Sequence, residues 1–593
     1  MSIVWAQDIP APAPAKGAEE SAPVIRATSQ LVLVDVVAVD HHGDFVPGLK
    51  ANDFTVLEDG QPQKVSAFAV HVTPSAQKRI PPLQLPPHQY SNFTYLPQQA
   101  DRPVTIVLLD MLNTSGQDQQ YARKQMIKFL QGLPQGRPVA LFTLTSQLHM
   151  VRGFTADSDA LVKAATAILT KVPMLLGSEA AIQQDEFIGL SMGGGHGNDP
   201  VPNSNDLVAL RQALLVSLAS QDNFEKLERM DMTVNALGVL ARAVAGYSGR
   251  KNLLWLSAEF PVAFGPDLGA PNPASHPNNS DGGAGSGRNP QLHDLQSEAP
   301  PLQQTAALLA AAQVAVYPIN VTGVVNPGTG IDISTWTQNV TTADLQQETQ
   351  KASQRQTTAL WDTHEAMSDI ARETGGEAFY GTNDIKDAMV HGMEEGSNYY
   401  TLAYVPANRV WKGNYRKIEV KTAASGAKLT YRHGYYAMAM LPYKGDRATT
   451  SMAIAMKLSV PEFTMLFLKT QVLPPDAEHK TVRIDYAVDG HDIAFSNGTD
   501  HRKLASVDFV ATAWDKDLKL VSHKTDTMDA TLRPEAYQEV MRTGLPFHQE
   551  LDLKPGSYTL RLGVLDRGSQ KIGTVDVPLT VGGSGGYGGD ESK

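Results

Sequence analysis

The sequence predicts an α/β protein: an open, doubly wound, mostly parallel sheet inserted in or flanked by β-sandwich segments, with a separate β-sandwich at the C-terminal end. Three observations predict it. From Val104 to Tyr380 short apolar runs alternate with segments whose apolar residues recur at helical spacing, the pattern of strands covered on both faces by helices. Before and after that region, Ser29 to Val70 and Tyr399 to Tyr436 carry β-branched and aromatic runs broken by turns. Beyond Ala455, Val482, Ile484, Tyr486 and Val488 alternate with other residues, as do Leu560, Leu562 and Val564, the period of half-buried strands.

Residues 1–27 begin MSIVWAQ and continue as a Pro/Ala-rich tether. The apolar piece ending in Trp5-Ala6-Gln7 reads as the remnant of a signal peptide whose basic and apolar regions precede Met1. The expected location is therefore periplasmic or extracellular. Residues 28–75 form an N-terminal β segment: Leu31 to Val39, Phe54 to Glu58, an Asp59-Gly60 turn, then Val65 to Val70. Three strands are marginal alone, so this segment is expected to pair with residues 397–440, where Tyr399 to Val405, Tyr415 to Thr422 and Lys428 to Tyr436 return to the β pattern.

The α/β domain is placed at 100–396. Val104 to Leu109 is a buried strand, and Tyr121, Met126, Phe129, Leu130 and Leu133 mark the inner face of the helix after it. Further strands are expected at Val139 to Thr145, Leu253 to Leu256 and Val314 to Ile319. Leu360, Met367, Ile370 and Ala371 give a helix stripe that Gly375-Gly376 should stop. Two stretches, 174–205 and 261–301, are rich in Gly, Pro, Asn and Ser and read as flexible insertions. The second β-sandwich, immunoglobulin- or fibronectin-like by its strand spacing, is placed at 455–582, and 583–593 is a flexible tail.

Composition excludes several functions. The chain has 593 residues with 50 Lys+Arg against 62 Asp+Glu, a formal charge of −12, which repels nucleic acid phosphate. It has no cysteine, so disulfide scaffolds, Cys-ligated zinc and thiol nucleophiles are out. Thr305 to Ile319, the longest apolar stretch, is interrupted by Gln313 and falls short of the roughly 20 residues a bilayer requires. A transmembrane segment is not expected.

The segment TIVLLDMLNTSGQDQQYARKQMIKFL resembles the opening of a von Willebrand factor A (VWA) domain, a Rossmann-like fold: an apolar strand, an Asp at its end, a polar loop and an amphipathic helix. GRKNLLWLSAEFP, AAQVAVYPINVTG and MSDIARETGGEAFYGTNDI resemble its fourth strand, fifth strand and last helix-strand unit. The flanks LVLVDVVAVDHHGDFVPGLKANDFTVLEDGQPQKVSAF and NYYTLAYVP, with YRKIEVKT and YRHGYYA, resemble the VWFA-related acidobacterial family, over roughly residues 28 to 440.

What the resemblance implies is a metal-ion-dependent adhesion site. There a D-x-S-x-S loop, a Thr and a later Asp surround Mg²⁺ with hard oxygen ligands and leave a position for an acidic partner group. Here Asp110 and Thr114 match the first and fifth loop positions, but Leu112 replaces the first Ser. The later Asp is missing, Glu259 being the nearest carboxylate, and Ser178 is the nearest candidate for the second-loop Thr. The site is therefore expected to be degenerate, holding no cofactor or only weakly bound Mg²⁺. With no metal, Asp110 would cap the next helix or accept loop amides, with Asn113 and Thr114 forming the turn.

No enzyme is expected. Gly189-Leu190-Ser191-Met192-Gly193 fits the G-x-S-x-G nucleophile elbow of a serine hydrolase. The run that begins at Met192, MGGGHGNDPVPNSN, cannot start the required helix. The histidines show no metal-ligand spacing: His41-His42 suit a solvated hairpin turn, and His364-Glu365 lacks the second His of H-E-x-x-H. Tyr399, Tyr400, Tyr404, Tyr415, Tyr431, Tyr435 and Tyr436 are assigned to packing around the returning strands. The expected function is an exported protein-protein interaction or adhesion scaffold, with a protein partner and no nucleic acid, its oligomeric state open. A Mg²⁺-dependent adhesin using Asp110 and Thr114 is the alternative, and a hydrolase using Ser191 the third.

Overall fold

The computed structural model describes residues 31–72, 85–92, 103–134, 136–168, 225–247, 249–260, 299–323, 357, 360–438, 446–458, 460–498 and 500–582. The tether, the first Gly-rich stretch with Ser178 and Ser191, the second stretch up to residue 298 and the tail all lie outside them. Among the described residues the protein is mixed α/β and rich in antiparallel strands, with one mixed sheet.

The mixed sheet has five strands in the order Val314–Asn320, Lys251–Ser257, Val104–Asp110, Val139–Leu144, Leu148–Thr155. The first four are parallel and the last is antiparallel. Val104–Asp110 is central and wholly buried. Its side chains alternate between faces. Ile106 and Leu108 pack with residues of a helix at 225–244 and of the helix Ala299–Ala311, whereas Val107 and Leu109 pack with the helices Gly116–Gln131 and Ile385–Glu395. Each such side chain contributes about 1.5–3 kcal/mol by leaving water, which fixes the strand as the keel of the unit. A parallel bridge from Ile319 to Phe379 extends the sheet edge.

Two antiparallel sheets flank this unit. One runs Lys428–Thr430, Val32–Val39, Tyr399–Tyr404, Val65–His71; the other runs Gly434–Met438, Lys412–Thr422, Phe54–Glu58, Gln61–Gln63. Their facing residues, among them Val34, Val36, Phe54, Val56, Tyr400, Leu402, Ile418 and Tyr435, make one core. Asp59 and Gly60 both have positive φ, 49° and 78°, the backbone of the tight turn that returns the chain into Gln61–Gln63. The joint with the α/β unit is polar: Asp35 accepts from Thr401 Oγ1 at 2.7 Å and from Gln313 Nε2 at 3.1 Å.

A second pair of sheets, built chiefly from residues 468–581, encloses a separate core around Leu468, Ile484, Phe509, Leu562 and Val577. Three features differ from the sequence expectation. Lys428 to Tyr436, expected as one strand, is two, Lys428–Thr430 and Gly434–Met438, in different sheets. Gln89–Ser91 adds an edge strand to this C-terminal sheet by pairing with Leu468–Leu473, because backbone pairing needs no side-chain signature in so short a strand. Residues 299–301, expected to be insertion, already belong to the helix Ala299–Ala311, since Pro is compatible with a first helical turn. The C-terminal unit packs on the helix at 225–244: Thr464 Oγ1 donates to the Ala243 carbonyl at 2.6 Å and accepts from Gly246 N at 3.0 Å. A Cβ at Gly246 would stand 1.8 Å from the Thr464 carbonyl oxygen, so only glycine permits this approach. Among the described residues no helix is long and apolar enough to cross a membrane.

Candidate functional site

Asp110 ends the central strand, where loops leave the sheet and ligands commonly meet α/β folds. The chain turns at residues 111–114, then starts a helix whose N-terminal cap is Ser115, not Asp110. Gln119, one turn into that helix, pins the loop by donating to the carbonyls of Met111 at 3.1 Å and Thr114 at 2.8 Å.

The Asp110 carboxylate is fully buried. Oδ1 accepts the amides of Leu112 at 3.0 Å and Asn113 at 2.9 Å. Oδ2 accepts Asn113 Nδ2 at 2.9 Å and Trp255 Nε1 at 3.0 Å. Ser257 Oγ lies 3.0 Å from the same oxygen and 2.6 Å from the Glu259 carbonyl, so its single proton is shared between them. A carboxylate offers about four lone-pair sites, and the four N–H donors fill them. Burial pushes the carboxyl upward in pKa, and the donations from Asn113, Trp255 and Ser257 oppose that push. The network extends outward: Asn113 Nδ2 also donates to Thr233 Oγ1 at 3.0 Å, and that hydroxyl donates to the Arg229 carbonyl at 2.7 Å.

Thr114 is also fully buried, its Oγ1 accepting the Ala258 amide at 3.1 Å. Glu259 faces another way, its carboxylate paired with Arg229 at 2.8 Å while its amide donates to the Asn113 carbonyl at 3.1 Å. Leu112 is buried and brings no oxygen. The structure thus joins Asp110, Thr114 and the Glu259 backbone in one network; Ser178, like Ser191, lies outside the described residues. A hard cation needs open oxygen lone pairs, and what converges on Asp110 is N–H. The residues present do not fit a Mg²⁺ ion.

Sequence reasoning missed Trp255 and Ser257 as partners of Asp110, and Thr233 as a partner of Asn113 beside it. Trp255 offered a signal. A Trp inside an otherwise apolar buried strand needs an acceptor for its N–H, and the Asp ending the neighbouring strand is the acidic residue able to supply one. Also missed were Glu377, His391 and Glu395, which the fold gathers into a group with metal-ligand spacing. This corrects the expectation that the histidines offer no such group. The reason is that Glu377 lies outside the helix that carries His391 and Glu395. His41 and His42 are exposed in a turn closed on Asp40, and His364 stacks on Tyr380 at 4.1 Å.

No family model matches the chain, and no curated protein matches it. Among solved structures, an aerotolerance-related membrane protein from Bacteroides fragilis with multiple mutations to serines is similar at 11% identity and a TM-score of 0.22, covering 49% of this chain and 99% of that one. Proximal thread matrix protein 1 from the mussel byssus is similar at 10% identity and a TM-score of 0.20, covering 50% of this chain and 48% of that one.

Proposed function

We propose that the chain is an exported interaction scaffold whose α/β unit is a doubly wound domain of the VWA type with a degenerate adhesion site, and that it binds a protein partner without a divalent cation at Asp110. The observation carrying this reading is the saturation of the Asp110 carboxylate by N–H donors from its own loop and from Trp255. A residue spent on holding a loop's shape leaves recognition to the loops themselves, which a rigid sheet presents at its carboxyl end. The two paired-sheet units around the α/β unit suit a spacer that sets its reach from a periplasmic or extracellular anchor point. No catalytic role is assigned.

The test is affinity capture with the immobilised full chain in EDTA and in Mg²⁺, alongside Asp110→Asn. Partner retention that is equal in EDTA and Mg²⁺ is the expected result. A partner released by EDTA, together with micromolar Mg²⁺ heats in calorimetry that vanish in Asp110→Asn, would establish the adhesin instead. Hydrolysis of a simple ester that disappears in Ser191→Ala would establish the third reading.

A further inference from the structure

At the opposite end of the sheet from Asp110, Glu377, His391 and Glu395 converge. Gly396, the residue after Glu395, lies against the start of the strand Lys251–Ser257: a Cβ there would stand 2.1 Å from Asn252 Oδ1. Gly376 lies flat on the neighbouring strand, where a Cβ would stand 2.0 Å from the Val316 carbonyl oxygen, and this close approach delivers Glu377. His391 and Glu395 are one turn apart on the helix Ile385–Glu395 and so share a face. One ligand atom from each of the three residues lies within 4.8 Å of the other two, and His391 Nε2 is 3.3 Å from Glu377 Oε2.

One oxygen of the group is left unsatisfied. Among the described residues Glu395 Oε2 is buried with no hydrogen-bond partner, a costly condition for a carboxylate. Lys428 of the adjoining β-sandwich reaches Glu377 at 3.8 Å, too far for a good hydrogen bond.

We propose that Glu377, His391 and Glu395 bind one divalent transition-metal ion of the zinc class, with water completing its shell, beside the sandwich strand Lys428–Thr430. One imidazole nitrogen with two carboxylate oxygens suits Zn²⁺, whereas Mg²⁺ and Ca²⁺ prefer oxygen alone. Zn–N and Zn–O bonds of about 2.0–2.1 Å put tetrahedral ligands about 3.3 Å apart. Binding therefore draws the three side chains together, and His391, 57% exposed, has the freedom to move. The site is independent of Asp110 and of the proposed function.

The experiment is calorimetric titration of the chelator-stripped full chain with ZnCl₂, in parallel with His391→Ala and Glu395→Gln, with Zn²⁺-dependent thermal unfolding as a second readout. Wild type should bind one ion with micromolar affinity and gain melting temperature. Each variant should lose at least about tenfold in affinity, or 1.4 kcal/mol, and lose the thermal gain. Circular dichroism verifies that the variants fold, and exposed His391 makes its variant the safer of the two. Affinity retained in either folded variant, as adventitious binding at other surface histidines would give, overturns the proposal. So does the absence of saturable binding in wild type up to about 100 μM, a limit set by the affinity expected of three ligands.

Discussion

The two ends of the mixed sheet handle buried charge in opposite ways. At the carboxyl end, Asp110 is wholly enclosed yet meets a donor at every lone pair. At the amino end, Glu395 has a buried oxygen with no partner among the described residues, and Lys251, also enclosed, is pushed down to about 7 by burial against the opposing pull of Asp35. Arg250 beside it is better served, donating to Tyr317 Oη at 2.9 Å, to the Gly375 carbonyl at 2.5 Å and to Asn252 Oδ1 at 3.2 Å. The comparison teaches where to look for chemistry. A satisfied charge is architecture, whereas an unsatisfied one is held by the fold at a cost and remains open to a ligand, a proton or a mutation.

Lys251 gives the largest expected effect. Its folded pKa is about 7 against an ordinary 10.5. Between those values the unfolded chain binds a proton that the folded protein does not, so stability rises with pH across this window. Below pH 7 both states are protonated, and the folded protein bears the full cost of a buried ammonium. At 1.36 kcal/mol per unit that cost is on the order of 5 kcal/mol. Lys251→Met, similar in volume, should therefore be more stable than wild type below pH 7, with the difference shrinking between pH 7 and 10.5. Urea midpoints at pH 6 and pH 9.5 check it; a difference that is constant with pH would show that the ammonium is solvated.

Asp110→Ala breaks the other end. It strands the amides of Leu112 and Asn113, the Asn113 side chain and the Trp255 N–H together, and should cost about 4 kcal/mol, at a fraction of a full desolvation penalty for each. The loss should be the same in EDTA and in Mg²⁺ when followed by urea unfolding. A loss seen only in Mg²⁺ would transfer Asp110 to the metal-binding class. Trp255→Phe tests one donor alone: the ring keeps its edge contact with Phe260 at 4.9 Å, while Asp110 Oδ2 loses an N–H. About 1.5 kcal/mol is expected from thermal or urea unfolding.

How far the sequence reveals this contrast depends on whether the determining pattern is local. The strand Val104–Asp110 was legible because a run apolar but for β-branched Thr105 implies cover on both faces, and the helix Gly116–Gln131 because Met126, Phe129 and Leu130 recur at its period. Gly375 and Gly376 ended their helix as Gly pairs do: Gly375, with φ of 80°, and Gly376 both donate their amides to the Ala371 carbonyl, at 2.8 and 2.9 Å. Asp110 was legible as a candidate by its position at the end of a strand. Its environment was not, since Trp255 and Thr233 come from elements more than 100 residues away, brought together only by strand order. The Glu377, His391 and Glu395 group was invisible for a related reason. Close packing of Gly376 on Val316 helps bring Glu377 to the helix that carries the other two, and backbone approach of that kind has no periodic signature. The edge strand Gln89–Ser91 is the same lesson in a sheet.

The smallest effect separates the functional readings most sharply. Thr114 Oγ1 serves as acceptor for the Ala258 amide, tying the loop after the central strand to the loop after Lys251–Ser257. Thr114→Val keeps the shape and removes the oxygen, so it should cost about 1 kcal/mol of stability, the usual value of one hydrogen bond. Thr114→Ser should restore it. If Thr114 merely locks the loop, partner affinity stays within about twofold of wild type in both variants once they are folded, since a loss of that size leaves most molecules native. If Thr114 instead ligates a cation that bridges to the partner, the valine variant loses binding in Mg²⁺ far out of proportion to its stability, because a ligand position cannot be filled by a methyl group. Measured side by side, the ratio of affinity loss to stability loss assigns the residue to one role without requiring the partner's identity.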